Sequence, residues 1–127
     1  MNTDLVYLFL LKTLIYAILK KVKMSNKMLK FVNIGQQNPP KRGVSKRKGD
    51  FNEIYNEFIQ EKAGEQASRC SQCGVPFCQV HCPLSNNIPD WLKLTSEGRL
   101  REAYELAQST NNMPEVCGRI CPQDRLC

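Results

Sequence analysis

Seven cysteines are the residues of this chain best suited to chemistry, and all lie at positions 70, 73, 78, 82, 117, 121 and 127. They form two runs, Cys70-x2-Cys73-x4-Cys78-x3-Cys82-Pro83 and Cys117-x3-Cys121-Pro122-x4-Cys127. Close spacing lets several thiolates of one loop converge on one centre, and a proline after a ligand keeps the local backbone out of helix. Iron-sulfur clusters are held by such thiolate sets, and in bacterial two-cluster ferredoxins the fourth cysteine of a run ligates the other cluster.

Other uses of these cysteines fit the pattern less well. Zinc also takes four cysteines, and Cys70-x2-Cys73 alone would suit a zinc knuckle, but a zinc ribbon normally repeats that pair and this chain does not. A secreted disulfide framework calls for an even count and a cleavable signal, whereas the count here is odd. Buried inert thiols would explain one or two of the seven, not all. A reduced, cytoplasmic ligand set is the expectation. Seven is also one short of two four-cysteine sites, so an eighth ligand is expected a few residues downstream, in a domain truncated at its C-terminus.

His81, the only histidine, sits between Cys78 and Cys82. Such a residue more often donates a hydrogen bond or faces solvent than ligates iron. Phe77, Trp91 and Tyr104 could line an electron path, although aromatics at such positions more often pack a core.

The elements that position the cysteines must be few, because 127 residues build one small domain. No dinucleotide fingerprint, P-loop or nucleophile elbow occurs, which narrows the chemistry to binding or electron carriage. Residues 50–127 read as a helical domain. Asp50 and Glu53 have the spacing of a capping box. Behind them Phe51, Ile54, Tyr55, Phe58, Ile59, Lys62, Ala63 and Ala67 recur at helical spacing, predicting an amphipathic helix over about 51–68. A second helix is expected over 89–96, with Pro89 at its start and Gly98 at its end. Leu100, Ala103, Tyr104 and Ala107 mark a third, stopping near Asn111 and Asn112. No run alternates with period two, so the class is all-α, with loops supplying the cysteines.

The net charge of +6 is unevenly placed. Residues 1–50 hold 11 Lys and Arg against 2 Asp, and residues 51–127 hold 7 against 10 Asp and Glu. The basic stretch around Lys41, Arg42, Lys46, Arg47 and Lys48 reads as a solvated linker, and no nucleic-acid partner is expected. Residues 28–49 form an extended arm in which Pro39 and Pro40 disfavour helix. Residues 1–27 are an apolar and basic extension. Its segment 5–19 is shorter than the ~20 residues a bilayer core needs and lacks signal-peptide flanks. No membrane contact is expected of it, and Met24 and Met28 offer alternative translation starts.

The stretch from Ala67 onward closely resembles the N-terminal domain of the bacterial glutamate synthase small (β) subunit. The likeness is carried by Arg69 through Gln79, Cys82-Pro83-Leu84, Ile88-Pro89-Asp90-Trp91, Thr110 through Glu115, and Cys117 through Pro122. The arm from Lys30 to Phe58 resembles that subunit's start, so the similarity spans about residues 28–127. Related domains occur in dihydropyrimidine dehydrogenase (its domain II) and in other NADPH-linked flavoenzymes.

The resemblance implies a small helical iron-sulfur domain, of alpha-helical ferredoxin type, holding two 4Fe-4S clusters. It implies Cys70, Cys73 and Cys78 on one cluster, completed from downstream, and Cys82 crossing over to join Cys117, Cys121 and Cys127 on the other. It further implies FAD and NADPH in downstream domains and the glutamate synthase large (α) subunit as partner, where glutamine and 2-oxoglutarate yield glutamate. Without the flavin and nicotinamide domains, this stretch alone is expected to transfer no hydride. The different-class alternative is a zinc-stabilised interaction module docking through its basic arm.

Overall fold

A computed structural model describes residues 27–125. The expectations placed on the N-terminal extension, including segment 5–19, and on Cys127 lie outside the described residues. Within them the chain is helical, and the only extended pairing is an isolated antiparallel bridge between Lys41 and Tyr55. The helices are α1 (Val44–Lys48), α2 (Gln60–Ala67), α3 (Phe77–Val80), α4 (Ile88–Ser96), α5 (Leu100–Gln108) and α6 (Pro114–Ile120), with 3₁₀ turns at Lys30–Val32 and Gln123–Arg125. No helix among the described residues is long and apolar enough to cross a membrane.

Helix α4 is the centre of the packing, lying against α5 and α2 and touching α3. Its start follows from Pro89 in the first turn, where a missing N–H costs nothing. Its end is a Schellman turn. Gly98 adopts φ 76°, its N–H donates to the Thr95 carbonyl at 3.0 Å, and the Arg99 N–H reaches the Leu94 carbonyl at 2.9 Å. The chain is thereby reversed directly into α5.

The buried positions are small: Gly64 and Ala67 on α2, Ser68 just after it, Pro89 and Ser96 on α4, and Ala103 on α5. Small side chains let helix backbones approach closely, so packing here depends on the absence of bulk. The two fully covered hydroxyls are satisfied by their own helices. Ser68 Oγ donates to the Glu65 carbonyl at 2.6 Å, and Ser96 Oγ to the Lys93 carbonyl at 2.8 Å.

Asn86, itself buried, fastens α4 to the end of α5. Its Nδ2 donates to the Ala107 carbonyl at 2.7 Å and to Thr110 Oγ1 at 3.0 Å, while its Oδ1 accepts from Trp91 Nε1 at 2.9 Å. Every polar atom of the side chain is thus used.

The helix expected over 51–68 is only its second half. The capping-box carboxylates are engaged elsewhere. Asp50 receives both terminal nitrogens of Arg42, at 3.0 and 2.5 Å, and also accepts the Asn52 N–H at 3.0 Å, a local turn that competes with helix. Glu53 accepts the N–H groups of Ile54 and Tyr55. Backbone bonds from Arg42 to Ile54 and from Asn56 to Pro40 then commit residues 54–56 to the arm. Phe51, expected on the apolar stripe, is fully exposed, and Ile59 is 68% exposed.

The arm is also more structured than its composition predicts. It contains α1, and its first part runs along residues 66–70 through a series of long-range bonds. The Leu29 N–H donates to the Cys70 carbonyl at 2.9 Å and the Lys30 N–H to that of Ser68 at 3.0 Å. Arg69 Nε donates to the Ile34 carbonyl, and the Gln66 amide exchanges hydrogen bonds with Gln37 and Gly35. The residues leading into the first cysteine run are therefore held from both sides.

Candidate metal centre

The first run begins where α2 ends. The Cys70 N–H still bonds the Ala67 carbonyl at 3.2 Å, and its own carbonyl accepts from Leu29. Gln72 follows in a left-handed conformation, φ 53°, which turns the chain between Cys70 and Cys73. The Ser71 hydroxyl lies 2.9 Å from Cys73 Sγ, and Gln72 Nε2 donates to Cys70 Sγ at 3.4 Å. Cys78 sits inside α3, and Cys82 lies two residues past its end, where its carbonyl accepts the Ser85 N–H at 2.9 Å.

In the second run, Cys117 lies on α6, and the Cys121 N–H donates to the Cys117 carbonyl at 2.9 Å. Those two residues are therefore stacked one helical turn apart on one face. Cys121 then leaves the helix with ψ 126°, the extended backbone required before Pro122. Loops were expected to supply the cysteines, yet Cys78 and Cys117 lie on helices. These are short helices between prolines and cysteines, with too few residues for a periodic apolar stripe to announce them.

Helix α6 is not part of the closely packed set formed by α2, α3, α4 and α5. Its connection to the arm is made by Arg119, which pairs with Glu53 and sets its guanidinium 5.8 Å from the centre of the Tyr55 ring. Lys41 lies 5.7 Å from the same ring centre. Between arm and α6 is an open cavity of about 360 Å³ lined by Phe51, Ile54, Val116 and the Glu53–Arg119 pair. Sequence reasoning passed over Arg119, Glu53 and Gln72 as site residues. The position of Arg119 and Gln72 inside the cysteine runs was the available signal.

The Arg42 guanidinium lowers the Asp50 carboxyl to about 2, and Asp50 in turn raises Arg42. The Glu53 carboxyl is held below its usual value by the Tyr55 backbone N–H and by the Arg119 charge. His81 is exposed and stacks on Phe77, ring centres 5.5 Å apart. Trp91 is half-buried against Asn86, and Phe77 and Tyr104 face solvent.

The donors fit a thiolate-ligated group in chemistry and access. No disulfide consumes Cys70, Cys73, Cys78, Cys82, Cys117 or Cys121; Cys73 is exposed and the others are partly exposed. Among the described residues, no three Cys, His, Asp or Glu side chains converge at metal-holding distance. The structure thus brings the cysteines into two short segments without closing a ligand set.

Residues 47–127 match the model of one protein family, described as dihydropyrimidine dehydrogenase domain II, 4Fe-4S cluster. Over 103 residues, 81% of this chain, it is 70% identical to the glutamate synthase [NADPH] small chain of Azospirillum brasilense, covering 21% of that protein. The same-named chain of Escherichia coli (strain K12) is 51% identical over 104 residues, 82% of this chain and 22% of that one. AegA of Escherichia coli, an oxidoreductase by name, is 47% identical over 90 residues, 70% of this chain and 14% of that one. The chain spans about a fifth of the length of the glutamate synthase relatives it matches.

Proposed function

This chain belongs to the dihydropyrimidine dehydrogenase domain II, 4Fe-4S cluster, family, and on that premise we propose that it is the electron-transfer domain of an NADPH-dependent glutamate synthase small subunit. The observation that carries the reading is the 70% identity to such a small chain over most of this sequence, together with two cysteine runs whose six described thiols are not consumed in disulfides. When bound, 4Fe-4S clusters supply reversible one-electron chemistry at potentials set by their surroundings.

The residues divide between two sites. Cys70, Cys73 and Cys78 hold one cluster, with a fourth ligand from elsewhere, and Cys82 joins Cys117, Cys121 and Cys127 on the other. The α4 scaffold and the docked arm fix the start of the first run. Arg119, gripped by Glu53, fixes the second. In this role the domain stands between an NADPH-oxidising FAD module and the large subunit, where glutamine and 2-oxoglutarate become glutamate, and the setting is cytoplasmic.

Transplantation tests this. The segment of a complete small chain that corresponds to this sequence is replaced by it, and NADPH-dependent glutamate formation is measured with the large subunit present. Retained turnover supports the proposal. A soluble, flavin-loaded chimaera that oxidises NADPH but passes no electrons to the large subunit contradicts it and points to the domain of a different flavoenzyme.

A further inference from the structure

Between Cys70 and Cys73 stands a residue whose backbone and side chain are both committed. Gln72 holds φ 53°, a left-handed conformation that a long L side chain seldom adopts and that persists only where surrounding contacts enforce it. The contacts are two. Its Nε2 donates to the Pro89 carbonyl at 2.7 Å and to Cys70 Sγ at 3.4 Å. A primary amide has two hydrogens, one for each acceptor. The Pro89 carbonyl can only accept, so it fixes which end of the amide faces inward and leaves the second N–H for sulfur.

Resting on the cluster reading above, we propose that Gln72 is a positioning residue for Cys70, tying this ligand's sulfur to the first turn of α4 and tuning the cluster it holds. Pro89 is buried at the start of the helix against which α2, α3 and α5 pack, so the amide connects a half-exposed thiol to the packed centre of the fold. A hydrogen bond to a ligand sulfur stabilises the more negative, reduced state, and such bonds are among the features that set cluster potentials. Gln72 therefore raises the reduction potential of the first-run cluster and leaves the second-run cluster unchanged.

The test uses the chimaeric small chain described above, which carries this sequence and supplies the fourth ligand of the first-run cluster, purified anaerobically with its iron and sulfide, and reads midpoint potentials and the low-temperature EPR spectrum. Gln72→Gly keeps a residue at ease at positive φ and deletes the amide. Gln72→Glu keeps the size and removes both donors. Both variants are expected to shift the first-run midpoint to more negative potential and to alter its EPR signal alone. Gln72→Asn, which tolerates the left-handed backbone and keeps a shorter amide, is expected to recover part of the shift. Unchanged midpoints in Gln72→Gly at full iron content overturn the proposal. So does an equal shift of both clusters, which reports a general structural change. Failure of the unsubstituted chain to take up any cluster defeats the cluster reading itself and is thereby distinguishable from failure of the role of Gln72.

Discussion

Arg119, which lies between Cys117 and Cys121, forms an ion pair with Glu53, 66 residues earlier, and covers the ring of Tyr55. The second cysteine run is thus connected to the arm by a charge pair and a cation over an aromatic face, while the first run is built onto the packed helices. The two runs therefore differ in how firmly they are held. An exposed ion pair adds little to global stability, because solvent screens it and ordering two long side chains costs entropy.

Substituting Glu53→Gln is accordingly expected to leave the midpoint of global unfolding unchanged. Its effect is local. Hydrogen exchange at the Cys121 amide, which bonds the Cys117 carbonyl, should accelerate by about two- to fivefold, in line with a surface pair. An equal acceleration at amides of α4 would show that the pair supports the whole domain.

Acid should release residues 40–42 of the arm within a defined window. The Asp50 carboxyl is lowered from 3.8 to about 2, chiefly by its hydrogen bonds from Arg42, and Glu53 is lowered chiefly by the Tyr55 N–H. A carboxylate depressed on folding contributes stability that is fully present above its unfolded pKa and is lost as pH falls through the folded one. Pairing of residues 40–42 with 54–56 is therefore complete above about pH 4.5 and fades toward pH 2, while the bonds of residues 29–37 to 66–70 stay in place. The NMR shifts of the Arg42 and Asn56 amides, which bond Ile54 and Pro40, should follow that course. A titration centred on the ordinary carboxylate value would contradict it.

Replacing Asn86 by Ala should be among the more damaging single changes. It deprives the Trp91 indole N–H and the Ala107 carbonyl of their partner at a site only 8% exposed. Unsatisfied buried groups cost ~1–3 kcal/mol each, so a loss of about 2–4 kcal/mol is expected in urea unfolding followed by Trp91 fluorescence. Asn86→Asp keeps the acceptor for Trp91 but cannot donate to Ala107, and it should also destabilise.

Enlarging a buried small residue should destabilise the domain as well. Ala67 and Ala103 are 4% and 6% exposed, where α2 and α5 pack on α4. Ala103→Leu should cost about 1–3 kcal/mol by overpacking, read as a lower denaturation midpoint with an unchanged slope. A neutral result would show that the helices have room to separate.

Much of this organisation can be read from the chain. Pro89, Gly98 and the spacing of Leu100, Ala103 and Ala107 announce α4 and α5, because local backbone preference and apolar period agree there. The apolar stripe from Phe51 misled for a physical reason. The partners that override helix, Arg42 for Asp50 and the Pro40 and Ile54 backbone pairing, are distant in sequence and not implied by any local pattern. The same applies to the arm, whose polar composition resembles a linker although residues 29–37 bond residues 66–70. For the metal centre, residue type and spacing identify the seven candidate thiols. The groups that orient them, Gln72 for Cys70 and Glu53 for Arg119, emerge only from three dimensions.

Whether these cysteines take up iron and sulfide is decided by anaerobic reconstitution of the purified chain, followed by metal analysis and EPR. Broad visible absorption, a reduced-state EPR signal, and about four irons with matching sulfide for each completed site are expected. Cys121→Ala should remove the signal of the second-run cluster, and in the chimaera, which supplies the fourth ligand of the first-run cluster, Cys73→Ala should remove the other. A colourless protein that binds zinc stoichiometrically through the same cysteines would rule out a 4Fe-4S electron carrier.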